Sequence, residues 1–203
     1  VWRILRPDAT AIARHLGAQR ALPFSYPEVG RSRDGQVPSG YVSEPRDGQV
    51  PSGYKLDHNR QLLGRGEATF AAAKDAIRGW RMFPAWAAIE PRAPIARDEV
   101  IAIVIRAGVW WLNAARIVYV IDEPRRFGFA YGTLPGHAER GEERFSVDWL
   151  SDDSVWYDLR AFSRPRHWAA WLAYPVTRAL QRRFVRHSKA AMATTCSRGS
   201  AAP

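Results

Sequence analysis

Six extended segments follow one another between residues 86 and 163, and they commit the chain to an antiparallel sheet. They lie at 86–90, 99–107, 115–122, 126–134, 142–149 and 154–163. Short turns separate the last four, such as EPRR at 123–126 and SDDS at 151–154. Connections that short favour antiparallel neighbours, because a parallel return needs a long crossover. The side-chain pattern agrees. In FSVDW, Phe145, Val147 and Trp149 share one face, while Ser146 and Asp148 take the other. In FGFAYGT, Phe127, Phe129, Tyr131 and Thr133 share a face, and Gly128, Ala130 and Gly132 leave the opposite face bare for close approach of a backbone or a ligand.

Helical patterns flank this run. Residues 9–20 have helical spacing with Asp8 as N-cap. A strand at 54–64 precedes a helix at 66–80, whose stripe is Phe70, Ala73, Ile77 and Trp80. A long final helix is expected over 165–192, with Ser163 as cap, Pro165 in its first turn and Pro175 kinking or dividing it. Its apolar stripe is Val176, Leu180, Phe184 and Ala191; Arg178, Arg182, Arg186 and Lys189 form a basic outer face. Strand, helix, six strands and a long helix make an α+β helix-grip fold, in which about seven antiparallel strands curve around the C-terminal helix. Such a sheet and one helix leave volume between them, and that volume is the expected pocket. The expected organisation is an N-terminal arm at 1–22, a loop at 23–53, the helix-grip domain at 54–192 and a disordered tail at 193–203. The loop holds RDGQVPSGY twice, at 33–41 and 46–54. That 13-residue offset is too short for a solenoid and reads as a local duplication, so deleting 33–45 should leave thermal stability nearly unchanged.

Composition bounds the function classes. At 203 residues with 46% hydrophobic residues and nine tryptophans, the chain is one folded domain. Its single cysteine, Cys196, excludes an intrachain disulfide and a cysteine metal cluster, so the cytoplasm is the expected compartment and neither metal nor cofactor is expected. Arg3, Arg6 and Asp8 interrupt any leader-like pattern in the first ten residues. Arg106, Asn113 and Arg116 break the apolar stretch at 100–121, so no transmembrane segment is expected. Residues 159–203 carry nine of the 30 cations and no acid. That field suits an anionic partner, although 27 Arg against three Lys is also what a GC-rich genome produces.

The block FGFAYGTLPGHAERGEERFSV at 127–147 resembles the signature of the domain-of-unknown-function nineteen-ninety family of bacteria and plants. FSYPEVG (24–30), PSGYKLD (51–57), LGRGEATFAAAKDAIRGWRMFPAW (63–86), ARIVYVID (115–122) and AFSRPRHWAAWLAYPVTRALQRRF (161–184) are similar in the same order. The duplicated loop is the departure, since one VPSGY satisfies the pattern. The resemblance implies kinship with the START and pollen-allergen helix-grip superfamily, whose members bind lipids, hormones and other apolar ligands. It implies no reaction, and fold alone does not fix function.

Chemistry concentrates in YGTLPGHAERGEER at 131–144. Tyr131, Thr133, His137, Glu139, Glu142 and Glu143 are the expected ligand-contacting residues, with Arg116 or Arg160 as a cation for an inward-pointing Glu143. The plain alternative is a tight turn at Pro135–Gly136 whose charges are solvated. Most tryptophans are expected to fill the core, but Trp110 and Trp111 must face opposite ways. The favoured function is binding of a small apolar or lipid-like molecule, ahead of catalysis. The alternatives are an enzyme with a His137/Glu143 acid–base pair, and a docking protein whose Arg178, Arg182, Arg186 and Lys189 meet an anionic membrane; nucleic acid is the lesser partner.

Overall fold

The computed structural model describes residues 1–33, 54–165 and 174–199. Most of the duplicated loop and the stretch holding Trp168 and Trp171 therefore lie outside the described residues. The strands are β1 (Trp2–Arg3), β2 (Lys55–Arg65), β3 (Ala87–Glu90), β4 (Val100–Ala107), β5 (Val109–Glu123), β6 (Arg126–Thr133), β7 (Glu139–Trp149) and β8 (Ser154–Pro165). The helices are α1 (Ala9–Gln19), α2 (Gly66–Arg78) and α3 (Tyr174–Gly199). All strand pairs are antiparallel, in the order β2-β8-β7-β6-β5-β4-β3, with β1 beside β5. From β3 to β8 the sheet is a meander of chain neighbours, as the short turns require. The two-residue β1 brings the described total to eight, against about seven expected.

Strand parity sorts the side chains into two layers. Ile101, Ile103, Ile117, Phe129, Phe145, Val147, Tyr157 and Leu159 point to the inner face and bury against Phe70, Ala73 and Ile77 of α2 and Met192 and Cys196 of α3. On the outer face, Val100, Ala102, Val104, Leu112 and Ala114 pack against Ile12 and Leu16 of α1. Asp8 caps α1 by accepting from the Ala11 amide at 2.7 Å. Trp110 joins this outer cluster and Trp111 borders the inner cavity, the opposition that adjacent strand positions dictate.

Two expectations about the last helix are corrected. Ser163 and Pro165 belong to β8, opposite Lys55 and Glu139, so they do not start the helix. Pro175 is the second residue of α3, and the segment from which it was expected to divide or kink this helix, 166–173, lies outside the described residues. At the other end α3 runs to Gly199, and Cys196 is buried, so residues 193–199 belong to the packed helix rather than to a loose tail.

Candidate functional site

Between the inner face of the sheet and α3 lies a cavity of about 840 Å³. Its apolar walls come from Phe83 and Trp86 before β3, Ile103 and Ile105 of β4, Leu159 of β8, and Phe184 and Val185 of α3. Aromatic rings give that wall its rigidity. Phe83 meets Phe145 at 5.4 Å and Phe184 at 5.3 Å between centroids, and Phe145 lies 5.8 Å from Tyr131. Tyr157 and Ser188 share a 2.8 Å hydrogen bond that fastens α3 to β8 deep in the core.

One end of the cavity is polar, because the inner face of β7 begins with Glu139, Gly141 and Glu143. The Tyr131 hydroxyl donates to Glu143. Gln181 of α3 donates to both oxygens of Glu139, at 2.7 and 2.9 Å. Arg178 donates to both carboxylate oxygens of Asp57 on β2, at 2.7 Å to Oδ1, and also to the Gln181 side-chain oxygen. A chain Asp57–Arg178–Gln181–Glu139 thus stitches α3 across the mouth from β2 to β7. Burial pushes the Glu143 carboxyl up to about 7; the Tyr131 hydrogen bond resists this, while Glu139 and Asp57 add to it. Burial likewise raises Glu139, against the pull of Gln181 and Arg178. Tyr131 stays protonated, held far above the usual phenol range by burial and then by the Glu143 charge. Gly141 is required where it stands. Its φ of +149° favours glycine, and a Cβ there would lie 1.9 Å from the Phe162 carbonyl oxygen.

Residues 25–191 match the family model described as "Domain of unknown function (DUF1990)". The match spans well over half of the chain. It belongs to the DUF1990 family. A relative from Deinococcus radiodurans, named "UPF0548 protein", is 37% identical over 91% of this chain and 93% of its own length. A second, "UPF0548 protein At2g17695" of Arabidopsis thaliana, is 32% identical over 68% of this chain and 71% of its own. Relatives of this chain thus occur in a bacterium and a plant. Among solved structures, the Zhui aromatase/cyclase from Streptomyces sp. R1128 superposes with a TM-score of 0.54 at 12% identity, over 73% of this chain and 97% of that one. That likeness is one of fold, and it agrees with the helix-grip arrangement seen here.

The DUF1990 signature block splits between two jobs. Tyr131, Thr133, His137, Glu139 and Glu143 all border the cavity. Glu142 also lies at its edge, but its carboxylate turns to the outer face and accepts from the Tyr26 hydroxyl at 2.7 Å, the Gly30 amide at 2.8 Å, and the Ser32 amide and hydroxyl. Its role is to clasp the strap at 24–32 onto the sheet. The bare face at Gly132 serves the same strap, since a Cβ there would meet the Tyr26 hydroxyl at 2.2 Å. Thr133 bonds to Ser25 of the strap at 2.7 Å as well as accepting from the Gly141 amide.

Neither arginine neutralises Glu143. Arg116 reaches the carbonyls of Arg20 and Leu22 and lies over the Phe24 ring. Arg160 is buried on the outer face, where burial and then Arg144 lower its pKa. The error lies in parity: both positions point away from the face that carries Glu143. His137 accepts from the Glu139 amide through Nδ1 at 3.0 Å, while the hydrogen bond to Glu143 comes from Tyr131. Arg178, expected on the basic outer face, turns inward to Asp57 with only 12% of its side chain exposed, whereas Arg182 and Arg186 stand exposed at the rim. Sequence reasoning missed Asp57, Asn59 and Gln61, which border the cavity from β2. Their period-two polar spacing on a strand was the available signal. Among the described residues, no group of three His, Cys, Asp or Glu side chains is placed to hold a metal, and no helix is long and apolar enough to cross a membrane.

Proposed function

We propose that this chain binds a small apolar or lipid-like molecule in the cavity between the sheet and α3. The single observation carrying the reading is a cavity of about 840 Å³ walled by aromatic and aliphatic side chains, with a few polar groups gathered at one end. Ligand sites have this composition, since apolar walls supply affinity and sparse polar groups fix orientation. The site's volume lies within the range of roughly 300–1,000 Å³ typical of small-molecule pockets. The helix-grip likeness to an aromatase/cyclase supports a use of the interior for small molecules. Catalysis through His137 and Glu143 has less behind it, because the hydrogen bonds route Glu143 to Tyr131 instead.

Native mass spectrometry of the purified protein tests this reading, followed by organic extraction of what denaturation releases. The expected spectrum shows a mass above that of the chain, and the extract yields an apolar molecule. A bare-chain mass, together with failure of the neutral fluorophore N-phenyl-1-naphthylamine to bind, would overturn it.

A further inference from the structure

Two carboxylates face this apolar cavity, and among the described residues neither forms an ion pair, although the Arg178 charge acts on Glu139 from its bond with Asp57. Glu139 and Glu143 are four residues apart on the inner face of β7, and the residue between them on that face is Gly141, so no side chain covers the strip that separates them. Their hydrogen-bond donors are neutral: Tyr131 for Glu143 and Gln181 for Glu139. Among the described residues no ion pair reaches either one, whereas nearby Asp57 is neutralised by Arg178. The Tyr131 bond engages only Oε2 of Glu143, and among the described residues no donor reaches Oε1.

Among the described residues, the groups around Glu143 at this end are acids or neutral groups, apart from Arg178. Tyr131 comes from β6, Asp57 from β2, Tyr157 from β8, and Arg178 and Gln181 from α3. The charges that act on Glu143 are those of Glu139 and Asp57, both negative. A desolvated carboxylate reaches neutrality by taking a proton or by meeting a positive group. Beside Glu143 stands the ring of Tyr131, and an aromatic ring attracts a cation through its quadrupole.

We propose that the cavity receives a cationic amphiphile, with an ammonium head between Glu139 and Glu143 and an apolar tail along Phe83, Trp86, Ile103 and Phe184. The proposal rests on the cavity being a ligand site and names the chemistry of its occupant. Arg182, Arg186 and Lys189 also border the cavity, from the side of α3. They would draw an anionic head instead, and this opposing field makes the head-group comparison decisive.

The experiment is displacement of N-phenyl-1-naphthylamine at pH 8 by three amphiphiles sharing one twelve-carbon tail: dodecylamine, dodecanol and dodecanoate, each below its micellar concentration. Dodecylamine should displace the probe at about tenfold lower concentration than dodecanol, the strength of one charge-assisted hydrogen bond. Glu143→Gln should cut the amine-to-alcohol preference, measured within the same variant, to about threefold or less. Glu139→Gln provides the same comparison if the first variant does not fold. Dodecanol or dodecanoate binding as tightly as the amine would overturn the inference and leave the ligand site standing. So would a full amine preference in folded Glu143→Gln. Failure of the probe and all three amphiphiles to bind would instead remove the ligand site itself.

Discussion

Glu142 and Glu143 are chain neighbours with opposite duties, because a strand turns successive side chains to opposite faces. Glu142 is enclosed by four donors from the strap, whereas Glu143 meets one phenol and an apolar cavity. The difference appears in the pH dependence of stability. Glu143 titrates near 7 in the folded chain against an ordinary value of 4.5. The folded state therefore holds more protons than the unfolded state between about pH 4.5 and 7, and stability falls as pH rises through that window. Asp158 works in the other direction: the His58 hydrogen bond and the Arg144 charge overcome the upward push of burial and hold it to about 2. Its contribution is complete above about pH 4 and is lost only as pH falls toward 2, outside the Glu143 window. Glu143→Gln should flatten the slope between pH 5 and 8. At pH 8 it should be more stable than the parent by about 2 kcal/mol, a figure discounted for water entering the cavity. Urea denaturation at several pH values checks this, and an unchanged slope would show that Glu143 titrates as an ordinary exposed acid.

At the scale of elements, strand parity makes most of the sheet legible in the sequence. The alternation in FGFAYGT and FSVDW assigned the inner face correctly and placed Tyr131 and Glu143 on it, because period-two burial is written into each strand separately. What could not be read were matters that one element imposes on another. Arg178 looks like a member of a basic outer stripe until β2 presents Asp57 to it. Arg116 and Arg160 looked available to Glu143 only while strand facing was ignored. The tail looked disordered because TTCSRGSAAP has little helix propensity, yet Cys196 is 1% exposed and lies in the same core cluster as Met192. Tertiary burial there overrides a weak local preference. A chain ending at residue 192 should thus lose about 1–3 kcal/mol, the transfer free energy of one buried apolar side chain plus frayed helix. Thermal unfolding of the shortened protein measures it. A melting temperature equal to that of the full chain would restore the description of 193–203 as a passive tail.

On the scale of the whole molecule, the cavity sets a constraint on its own contents. The cavity of about 840 Å³ is partly open to solvent, so water enters it whenever no guest is bound. The space must hold water or a ligand, and the polar end with Asp57, Glu139 and Glu143 is where water can be anchored. An apolar guest that displaces poorly held water from the aromatic walls gains affinity without disturbing the sheet. Ala161 offers a way to separate the cavity from the fold. It lies on the inner face of β8, in register with Asp57 on one side and Glu143 on the other, and borders the cavity. Ala161→Trp puts an indole into space that the core does not use, so the melting temperature should stay within about 4 °C, the shift that roughly 1 kcal/mol produces. Binding of N-phenyl-1-naphthylamine should weaken by about tenfold or more, since the added ring occupies the polar end and narrows the apolar path beside Leu159. Undiminished binding in a folded Ala161→Trp protein would place the probe on another surface, and the sheet–helix cavity would lose its claim to be the ligand site.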